Sequence, residues 1–319
     1  MFQRIITAGL GLVISCSTSL AFDIQGHRGA RGLMPENTIP AFSKALSIGV
    51  STLELDVGVT ADGVVVVSHD PALNLDLARG SDGEWLTERP LIKELSFAQL
   101  QKFDVGQFKP GSRGAKRFPD QQSVEGTKIP SLKDVFDLAK NSEHADVRFN
   151  IETKINPLKP ANTADPEAFV TALLLAVEKS GLKQQVTIQS FDWRTLQLVQ
   201  ERAPELDTVY LTAQQNWLDN VKSDGAKASD WTAGFVLSEF KNVPAMVKAA
   251  GGDVWSPFYG DLTEALVKDA QSIGLKVIPW TVNDEETIAT LIDAGVDGII
   301  SDYPDRLRAV AAEKSLPLP

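Results

Sequence analysis

Strand-like and helix-like segments alternate along most of this 319-residue chain. Short runs rich in apolar and β-branched residues predict strands at residues 24–27, 52–57, 64–68, 148–154, 186–190, 208–211, 254–256, 276–281 and 298–301. Between them, apolar residues at helical spacing predict helices at 39–48, 132–139, 167–180, 193–201, 264–272 and 285–294. Such alternation favours an α/β fold with a parallel sheet, and seven or eight β-α units in one domain favour a closed (β/α)8 barrel, the TIM barrel.

Two stretches interrupt this alternation. Residues 71 to about 130 hold clusters of Gly, Pro, Asp and Arg without a clean β-α unit, which predicts a small inserted subdomain after the hairpin of the second strand. Residues 213–253 are also irregular, with residues 234–237 as a further short strand. Because no Pro/Gly/Ser-rich linker divides the sequence, we expect a single domain over residues 22–319.

The N-terminus has the pattern of a secretory signal peptide. Arg4 precedes an apolar run at residues 5–15, and small residues lead to Ala21. The run is shorter than the ~20 residues that a membrane-spanning helix needs, so we predict no transmembrane segment. We expect cleavage after Ala21, removal of residues 1–21 and export of a soluble protein to a bacterial periplasm. The alternative is lipoprotein processing, with Cys16 as the lipid-bearing residue.

The charge of the chain bears on its partners. The formal net charge is −11, and removal of residues 1–21, whose only charged residue is Arg4, makes it −12. Nucleic-acid binding proteins need a basic surface, so this class is disfavoured. We expect a small-molecule substrate whose phosphate meets a local basic patch. No feature of the sequence indicates an oligomeric state.

Polar residues follow the predicted strands at their carboxyl ends, where the active sites of (β/α)8 barrels lie. We therefore expect side chains from distant parts of the sequence to meet at one rim of the barrel. The residues at these strand ends are His27, Arg28, Glu54, Asp56, Glu152, Lys154 and Trp280.

A predicted hairpin brings a histidine to two of these carboxylates. Glu54 and Asp56 are two residues apart on a strand, so their side chains share a face. Asp62-Gly63 is typical of a two-residue hairpin turn. With that turn, paired residues have numbers that sum to 125, which places His69 opposite Asp56. A register shifted by one residue would turn His69 to the other face.

Carboxylates within such apolar segments require a cation or strong hydrogen-bond donors. Glu54 and Asp56, with Glu152 as a third carboxylate from the next strand, favour an oxygen-ligated divalent cation, Ca²⁺ or Mg²⁺. Zinc bound through His27 and His69 is the alternative, but it would occupy both candidate acid–base groups.

Two cationic residues are candidates for binding an anion in the same place. Arg28 suits bidentate contact with phosphate, and Lys154 acts as a point charge. Glu36 lies in a segment that starts a helix, with Asn37 or Thr38 as its cap, so Glu36 either reaches the site or belongs to the helix start. The sequence has no G-x-S-x-G motif, which disfavours acyl transfer.

These motifs together resemble the glycerophosphodiester phosphodiesterase family, whose members have a TIM barrel. The resemblance covers most of the mature chain and is most specific in its first two groups of motifs. The matching stretches, in family order, are His27-Arg28-Gly29, Pro35-Glu36-Asn37-Thr38, Glu54-x-Asp56, Asp62-Gly63, His69-Asp70, Glu152-x-Lys154, Gln189-Ser190-Phe191, Trp280-Thr281-Val282-Asn283 and Asp297-Gly298-Ile299-Ile300-Ser301-Asp302.

The resemblance implies an enzyme that hydrolyses deacylated phospholipids, such as glycerophosphocholine, to sn-glycerol 3-phosphate and an alcohol. It implies that His27 and His69 act as general acid and base. The other implied roles are cation ligands for Glu54, Asp56 and Glu152, phosphate contacts for Arg28 and Lys154, an apolar wall near the glycerol for Trp280, and a supporting position beside the site for Glu36 and Gln189.

Two other functions are compatible with these residues. One is a related barrel phosphodiesterase, such as a phospholipase, that acts on intact lipids. It would need an apolar docking surface in the insertion, where aromatic residues are few and separated. The other is a non-catalytic periplasmic protein that binds phosphorylated ligands. Such a protein would be expected to have lost a histidine or a carboxylate, and none is missing.

Overall fold

The computed structural model describes residues 22–222, 224 and 227–319. The expected signal segment at residues 1–21, with both Ala21 and Cys16, lies outside the described residues. Within the described part, no helix is both long and apolar enough to cross a membrane.

Eight parallel strands form a nearly closed barrel. Their order around the barrel is β10-β9-β6-β5-β4-β2-β1-β11, with β3 paired antiparallel to β2. The strands are β1 Asp23–Gly26, β2 Thr52–Val59, β3 Val65–Val67, β4 Arg148–Thr153, β5 Val186–Ser190, β6 Thr208–Thr212, β7 Gln214–Gln215, β8 Leu218–Asp219, β9 Val254–Pro257, β10 Lys276–Val277 and β11 Gly298–Ser301. Backbone hydrogen bonds from Asp297 N to Val277 O (2.9 Å) and from Ile300 N to Pro279 O (3.0 Å) connect the segments of β10 and β11, the two ends of this order. The predicted fold class is confirmed.

Helices follow the barrel strands and cover the outside. The α-helices are α1 Ile39–Ile48, α2 Phe97–Leu100, α3 Arg113–Arg117, α4 Leu132–Lys140, α5 Pro166–Ser180, α6 Trp193–Arg202, α7 Val243–Ala249, α8 Glu264–Ser272, α9 Glu285–Asp293 and α10 Pro304–Glu313. Helix α1 begins after Thr38, whose Oγ1 accepts a hydrogen bond from Ala41 N. Of the two predicted caps, Thr38 is therefore the one used.

Apolar residues form separate cores outside and inside the barrel. Leu53, Leu55 and Val57 alternate with Glu54 and Asp56 along β2 and belong to the large outer core. A smaller core, which lies inside the barrel, consists of Val209, Val254, Ile278 and Ile300, with Trp280 packed against it. Burial of each such side chain stabilises the fold by roughly 1.5–3 kcal/mol before entropy is considered.

The inserted segment after β3 carries α2 and α3 and has a small apolar core of its own. The members of this core are Leu73, Ala78, Ile92, Leu100, Val105 and Ile129 of the insertion, packed with Val66 of β3. The barrel strands resume at β4, so the insertion lengthens one connection without breaking the barrel.

The predicted register of the β2–β3 hairpin is wrong by one residue. Val57 pairs with Val67 and Val59 with Val65, so paired residues have numbers that sum to 124. The turn contains three residues rather than two, because Thr60 N donates to Val64 O at 3.0 Å. Gly63, the last residue of the turn, has a φ of +78°, as expected for a three-residue hairpin loop.

His69 nevertheless reaches the barrel rim on the side of Asp56. Strand β3 ends at Val67, and Ser68 N donates to Asp56 O at 2.9 Å. The chain then leaves the ladder, so strand alternation no longer determines where His69 points. The predicted neighbourhood was right, although the predicted pairing was not.

Two other strand predictions differ from the structure. The strand predicted at 276–281 is assigned only at Lys276–Val277. Pro279 has no N–H to donate toward β11, whereas Ile278 N and Trp280 N still donate to Trp255 O and Pro257 O of β9. Residues 234–237 form no strand. Gly234 lies in a turn with a φ of +96°, and a short 3-10 helix, Leu237–Glu239, follows.

Candidate active site

A cavity of about 750 Å³ opens at the carboxyl ends of the barrel strands. Two of the predicted site residues are not on its wall: Asp56 is fully buried beneath it, and Glu36 lines a smaller neighbouring cavity together with His69. The predicted residues that line the large cavity are His27, Arg28, Glu54, His69, Glu152, Lys154, Gln189 and Trp280.

Three buried carboxylates meet at the floor of the cavity. Glu54 and Asp56 lie on β2, and Glu152 is the register partner of Asp56 on β4. One oxygen of each lies within 4.8 Å of the others. Asp56 Oδ1 is buried and has no hydrogen-bond partner among the described residues. Buried carboxylate oxygens are normally satisfied, so this arrangement fits a bound cation.

Crowding of these carboxylates appears in their pKa values. Burial and the neighbouring charge of Asp56 raise the pKa of Glu54 well above its usual range. Burial raises the pKa of Glu152 to about 7, although Lys154 partly opposes this. Burial also opposes ionisation of Asp56, but the charges of Arg28, His69 and Lys154 outweigh it and hold the pKa of Asp56 well below normal. A cation would favour the ionised form of all three.

The charges around the cavity floor are unequal. Four carboxylates pair with three Arg or Lys side chains, and a fifth, that of Glu54, has only the imidazole of His27 as an ion-pair partner. With all five ionised, two negative charges are in excess, and a divalent cation would balance them. The carboxylates are those of Glu36, Glu54, Asp56, Glu152 and Asp302, and the cations are those of Arg28, Arg31 and Lys154.

His27 is held by a carboxylate from the neighbouring strand. Its Nδ1 lies 2.6 Å from Oδ1 of Asp302, which also accepts from Arg31 Nε at 2.8 Å. Oδ2 of Asp302 accepts from Arg31 Nη2 at 3.1 Å and from Asn283 Nδ2 at 2.8 Å. Because an ionised carboxylate only accepts, Nδ1 of His27 carries the proton. Its Nε2 faces Glu54, with 3.9 Å to Oε2.

The environment of His27 favours the neutral imidazole. Burial and the nearby charge of Arg31 lower the pKa of His27 to about 4, and the carboxylate of Asp302 only partly offsets them. A neutral ring that donates from Nδ1 leaves a lone pair on Nε2, so His27 can accept a proton from a group in the cavity.

His69 has a similar arrangement on the other side of the carboxylates. Its Nδ1 lies 2.9 Å from Oδ1 of Asp70, and Oδ2 of Asp70 accepts from Arg89 Nη2 at 3.1 Å. Burial and the charges of Arg28 and Lys154 lower the pKa of this half-buried imidazole. The cavity therefore contains two imidazoles, each oriented by a carboxylate.

Arg28 links the first strand to the carboxylates. Its backbone has a φ of +51°, an uncommon conformation for a residue with a side chain, and its backbone N donates to Glu54 Oε2 at 2.8 Å. Its Nη1 donates to Glu36 Oε1 at 2.7 Å, and its Nε lies 3.1 Å from Asp56 Oδ2. Glu36 therefore anchors Arg28 and does not cap the helix.

Lys154 lies just after β4 and faces the same carboxylates. Its Nζ donates to Glu152 Oε1 at 2.7 Å and lies 3.7 Å from Asp56 Oδ1. The Nζ also lies 5.8 Å from the centre of the Phe191 ring. Like Arg28, Lys154 therefore presents positive charge between the carboxylates and the open cavity.

The sequence matches the model of the Glycerophosphoryl diester phosphodiesterase family over residues 27–306. The chain belongs to this family. A glycerophosphodiester phosphodiesterase of Caldanaerobacter subterraneus subsp. tengcongensis is 29% identical over 88% of this chain and 94% of that protein. One from Bacillus subtilis is 30% identical over 89% of this chain and 84% of that protein. The predicted family and enzyme class, a glycerophosphodiester phosphodiesterase, are confirmed.

One solved structure agrees with this assignment, and a second shares the fold. A candidate glycerophosphoryl diester phosphodiesterase from Silicibacter pomeroyi superposes with a TM-score of 0.83 at 33% identity, covering 94% of this chain and 96% of that one. An Oleispira antarctica phosphodiesterase, solved in complex with sn-glycerol-3-phosphate, has a TM-score of 0.66 at 20% identity, covering 92% of this chain and 97% of that one. The second likeness concerns the fold alone.

Aromatic rings form one wall of the cavity in this phosphodiesterase. The centre of the Trp280 ring lies 5.3 Å from that of Phe191, 5.7 Å from that of Phe258 and 6.1 Å from that of Trp217. Trp280 Nε1 donates to Ser256 O at 3.0 Å, which fixes the indole ring. The peptide bond between Trp280 and Thr281 is cis.

Amide side chains behind the carboxylates fix their orientation. Gln189 Nε2 donates to Glu54 Oε1 at 2.6 Å, and Asn150 Nδ2 donates to Gln189 Oε1 at 3.0 Å. Asn37 Nδ2 donates to Asp56 Oδ2 at 2.9 Å. Sequence reasoning anticipated a supporting position for Gln189 but treated Asn37 only as a possible helix cap.

Asp302 and Arg31 are the main site residues to which sequence reasoning gave no role. Arg31 lies two residues after the His27-Arg28-Gly29 motif, and Asp302 ends the last motif, directly after β11. The position of Asp302 at the carboxyl end of a barrel strand was the signal that could have identified it.

Proposed function

We propose that this phosphodiesterase hydrolyses glycerophosphodiesters to sn-glycerol 3-phosphate and an alcohol with a divalent cation bound by Glu54, Asp56 and Glu152, and with His27 and His69 as the acid–base pair. The observation that carries the proposal is the buried carboxylate triad, with one unsatisfied oxygen, lying between two imidazoles that carboxylates orient. The product found in the Oleispira fold neighbour is consistent with a substrate of this size.

An oxygen-only ligand set suits Ca²⁺ or Mg²⁺. Among the described residues, this triad is the only group of three or more His, Cys, Asp or Glu side chains arranged to hold a metal, and it contains no histidine. That composition argues against the zinc alternative and leaves both imidazoles for proton transfer. When bound, a divalent cation polarises the phosphoryl group and neutralises negative charge that develops on it.

Arg28 and Lys154 are the proposed phosphate contacts. Both line the cavity beside the carboxylates, so a phosphodiester that enters meets a guanidinium fork and an ammonium group. With the excess negative charge of the floor balanced by a cation, these two side chains can stabilise the anionic substrate and its transition state.

His27 and His69 are the proposed proton carriers. One accepts a proton from the attacking oxygen, which belongs to water or to the glycerol hydroxyl of the substrate, the latter giving a cyclic phosphate that water then opens. The other donates a proton to the alcohol oxygen as the P–O bond breaks. Each role typically contributes about 10²–10⁴ in rate. The donor must be protonated in the complex, and the negative phosphate raises the pKa of the imidazole it contacts.

The intact-lipid alternative is not favoured. The large apolar side chains that are exposed among the described residues are Leu158, Leu175, Trp217 and Ile273, none of them in the insertion. Phe97 and Phe103 pack against the small core of the insertion, and Phe118 is buried. The insertion therefore lacks the apolar docking surface that a phospholipase would need. Export through a signal peptide stays a prediction.

The proposal is tested by measuring sn-glycerol 3-phosphate release from glycerophosphocholine and from glycerophosphoglycerol. We expect chelation to abolish release and Ca²⁺ or Mg²⁺ to restore it. We expect His27→Ala and His69→Ala to lower kcat by about 10²–10⁴. His144→Ala is the matched control, because His144 is exposed and does not line the cavity.

Each outcome addresses a separate part of the proposal. If the metal-loaded wild type releases no glycerol 3-phosphate from any glycerophosphodiester, the substrate assignment is wrong. If activity survives chelation, the metal assignment alone is wrong. If kcat falls less than tenfold in His69→Ala, His69 is not part of the acid–base pair.

A further inference from the structure

Three arginines line the outer part of the active-site cavity and take no part in the proposed reaction. They are Arg113, Arg117 and Arg306, and we refer to them as the arginine rim. Arg113 and Arg117 are exposed, and Arg306 is partly buried. In the part of the chain that the structure describes, none of the three forms an ion pair with a carboxylate, whereas Arg28, Arg31 and Lys154 all do. The nearest polar partner of Arg306 is a backbone oxygen, that of Asn283, at 3.4 Å from its Nη1. The rim guanidinium groups are therefore open to an anionic partner in the cavity.

Aromatic rings hold two of these guanidinium groups in position. The Cζ of Arg117 lies 5.3 Å from the centre of the Phe118 ring, and that of Arg306 lies 3.8 Å from the centre of the Tyr303 ring. Phe118 and Tyr303 are both buried and contact each other, with ring centres 6.4 Å apart. Neighbouring buried rings thus carry Arg117 and Arg306, so the two charges share one side of the cavity mouth.

The rim is close to the reactive end of the cavity. Phe118 also contacts Arg31, with 4.8 Å from Cζ to the ring centre, and Arg31 pairs with the Asp302 carboxylate that orients His27. Burial and the charge of Arg31 lower the pKa of Arg117, and the carboxylate of Asp302 only partly opposes them. A substrate whose phosphate lies at the carboxylate floor would extend past these groups toward solvent.

The rim carries more positive charge than a simple glycerophosphodiester requires. A phosphodiester has one negative charge, and Arg28 and Lys154 already face it. From the unpaired rim we infer that this enzyme prefers glycerophosphodiesters whose head group carries a further negative charge, which Arg117 and Arg306 bind with Arg113. The inference rests on the proposed function and adds a substrate class to it. Binding through exposed guanidinium groups also makes the preference dependent on ionic strength.

The experiment compares two substrates that share the same scissile bond. Bis(glycerophospho)glycerol has a second phosphodiester in its head group, and glycerophosphoglycerol ends in a neutral glycerol. The value of kcat/KM is obtained from initial rates for both substrates at ~20 mM salt. The readout is the kcat/KM for bis(glycerophospho)glycerol divided by that for glycerophosphoglycerol. The first substrate has two equivalent scissile bonds, so a ratio of about two is expected without any preference, and we expect about tenfold or more.

Variants then test whether the arginine rim causes the substrate preference. We expect Arg117→Gln and Arg306→Gln each to lower the ratio by about two- to fivefold, the range of an exposed charge pair, and the double variant to approach the statistical value. Lys116→Gln is the matched control, because Lys116 is an exposed cation on the same helix that does not line the cavity. Raising salt to ~0.5 M should reduce the wild-type ratio in the same way.

Failures of the two proposals are distinguishable. Lack of cleavage of both diesters overturns the proposed function and this inference with it. Cleavage of both with a wild-type ratio of two or less overturns this inference alone. The inference is also overturned if Lys116→Gln lowers the ratio as much as Arg117→Gln does, or if glycerophosphocholine, with its cationic head group, is cleaved with a higher kcat/KM than bis(glycerophospho)glycerol.

Discussion

Replacement of Asp302 by asparagine tests how His27 is prepared for proton transfer. Each oxygen of Asp302 accepts two hydrogen bonds, Oδ1 from His27 and Arg31, and Oδ2 from Arg31 and Asn283. An amide has one accepting oxygen, so whichever way the new side chain turns, its NH₂ group meets two donors. Loss of two buried hydrogen bonds, at least one of them to the charged Arg31, lowers the free energy of unfolding by about 3–5 kcal/mol.

The same substitution should lower kcat much more than it changes KM. An amide NH₂ turned toward His27 removes the acceptor of its Nδ1 proton, so the imidazole loses its tautomer and its orientation. An amide oxygen turned toward His27 still accepts but lacks the negative charge that stabilises the protonated ring. We expect kcat to fall by about 10²–10³, most of what one acid–base group contributes. The assay is release of sn-glycerol 3-phosphate, normalised to the folded fraction measured by circular dichroism.

Asp104→Asn is the matched control for the loss of stability. Asp104 is a buried carboxylate in the insertion that accepts hydrogen bonds from Arg79 and from the backbone N–H groups of Gly106 and Gly126. It should lose comparable stability and keep its kcat. A folded Asp302→Asn enzyme with kcat within tenfold of the wild type would refute the role assigned to Asp302.

Two further predictions follow from neighbouring groups. Gln189→Leu removes the donor to Glu54 and should weaken Ca²⁺ or Mg²⁺ binding about tenfold by calorimetric titration, so an unchanged Kd would contradict the role of Gln189. His27 has its pKa lowered from 6.5 to about 4 by burial, so the unfolded state binds more protons in this interval, and stability falls as the pH is lowered through it. In chelator, the free energy of unfolding of the wild type should therefore drop by about 3 kcal/mol more than that of His27→Gln between pH 6.5 and 4. Glu152, with a pKa raised to about 7 by burial, contributes to the pH dependence with the opposite sign. Both proteins contain Glu152, so its contribution cancels in the difference between them, and the difference reports His27. Parallel curves for the two proteins would contradict the lowered pKa.

Sequence reasoning succeeded where strand ends decide the position of a side chain. The carboxyl ends of parallel strands meet at one rim, so the convergence of His27, Glu54 and Glu152 followed once the strands were recognised. Burial of Asp56 between the apolar residues of β2 likewise followed from strand alternation.

Sequence reasoning was less reliable where local backbone geometry determines the position of a side chain. The Asp62-Gly63 pair indicated a turn but not its length, since the extra turn residue depends on a hydrogen bond between Thr60 and Val64. The position of His69 depends on where β3 ends and not on the register of the hairpin. Neither feature has a periodic signal in the sequence.

Sequence reasoning did not identify the side-chain contacts that depend on closure of the barrel. His27 and Asp302 are 275 positions apart and meet because β1 pairs with β11. The arginine rim similarly requires helix α3 of the insertion to lie beside Arg306 at the start of α10. A closed barrel makes the first and last strands neighbours, but residue patterns along one segment do not specify which side chains then form hydrogen bonds.

The most direct test of the account is anomalous diffraction from crystals of the wild-type enzyme soaked in Ca²⁺. We expect one strong peak at the cavity floor, within ~2.3–2.6 Å of an oxygen of Glu54, Asp56 and Glu152, with the imidazoles of His27 and His69 free of the ion. A floor without an ion at saturating Ca²⁺ and at saturating Mg²⁺, or an ion bound through either histidine, would contradict it.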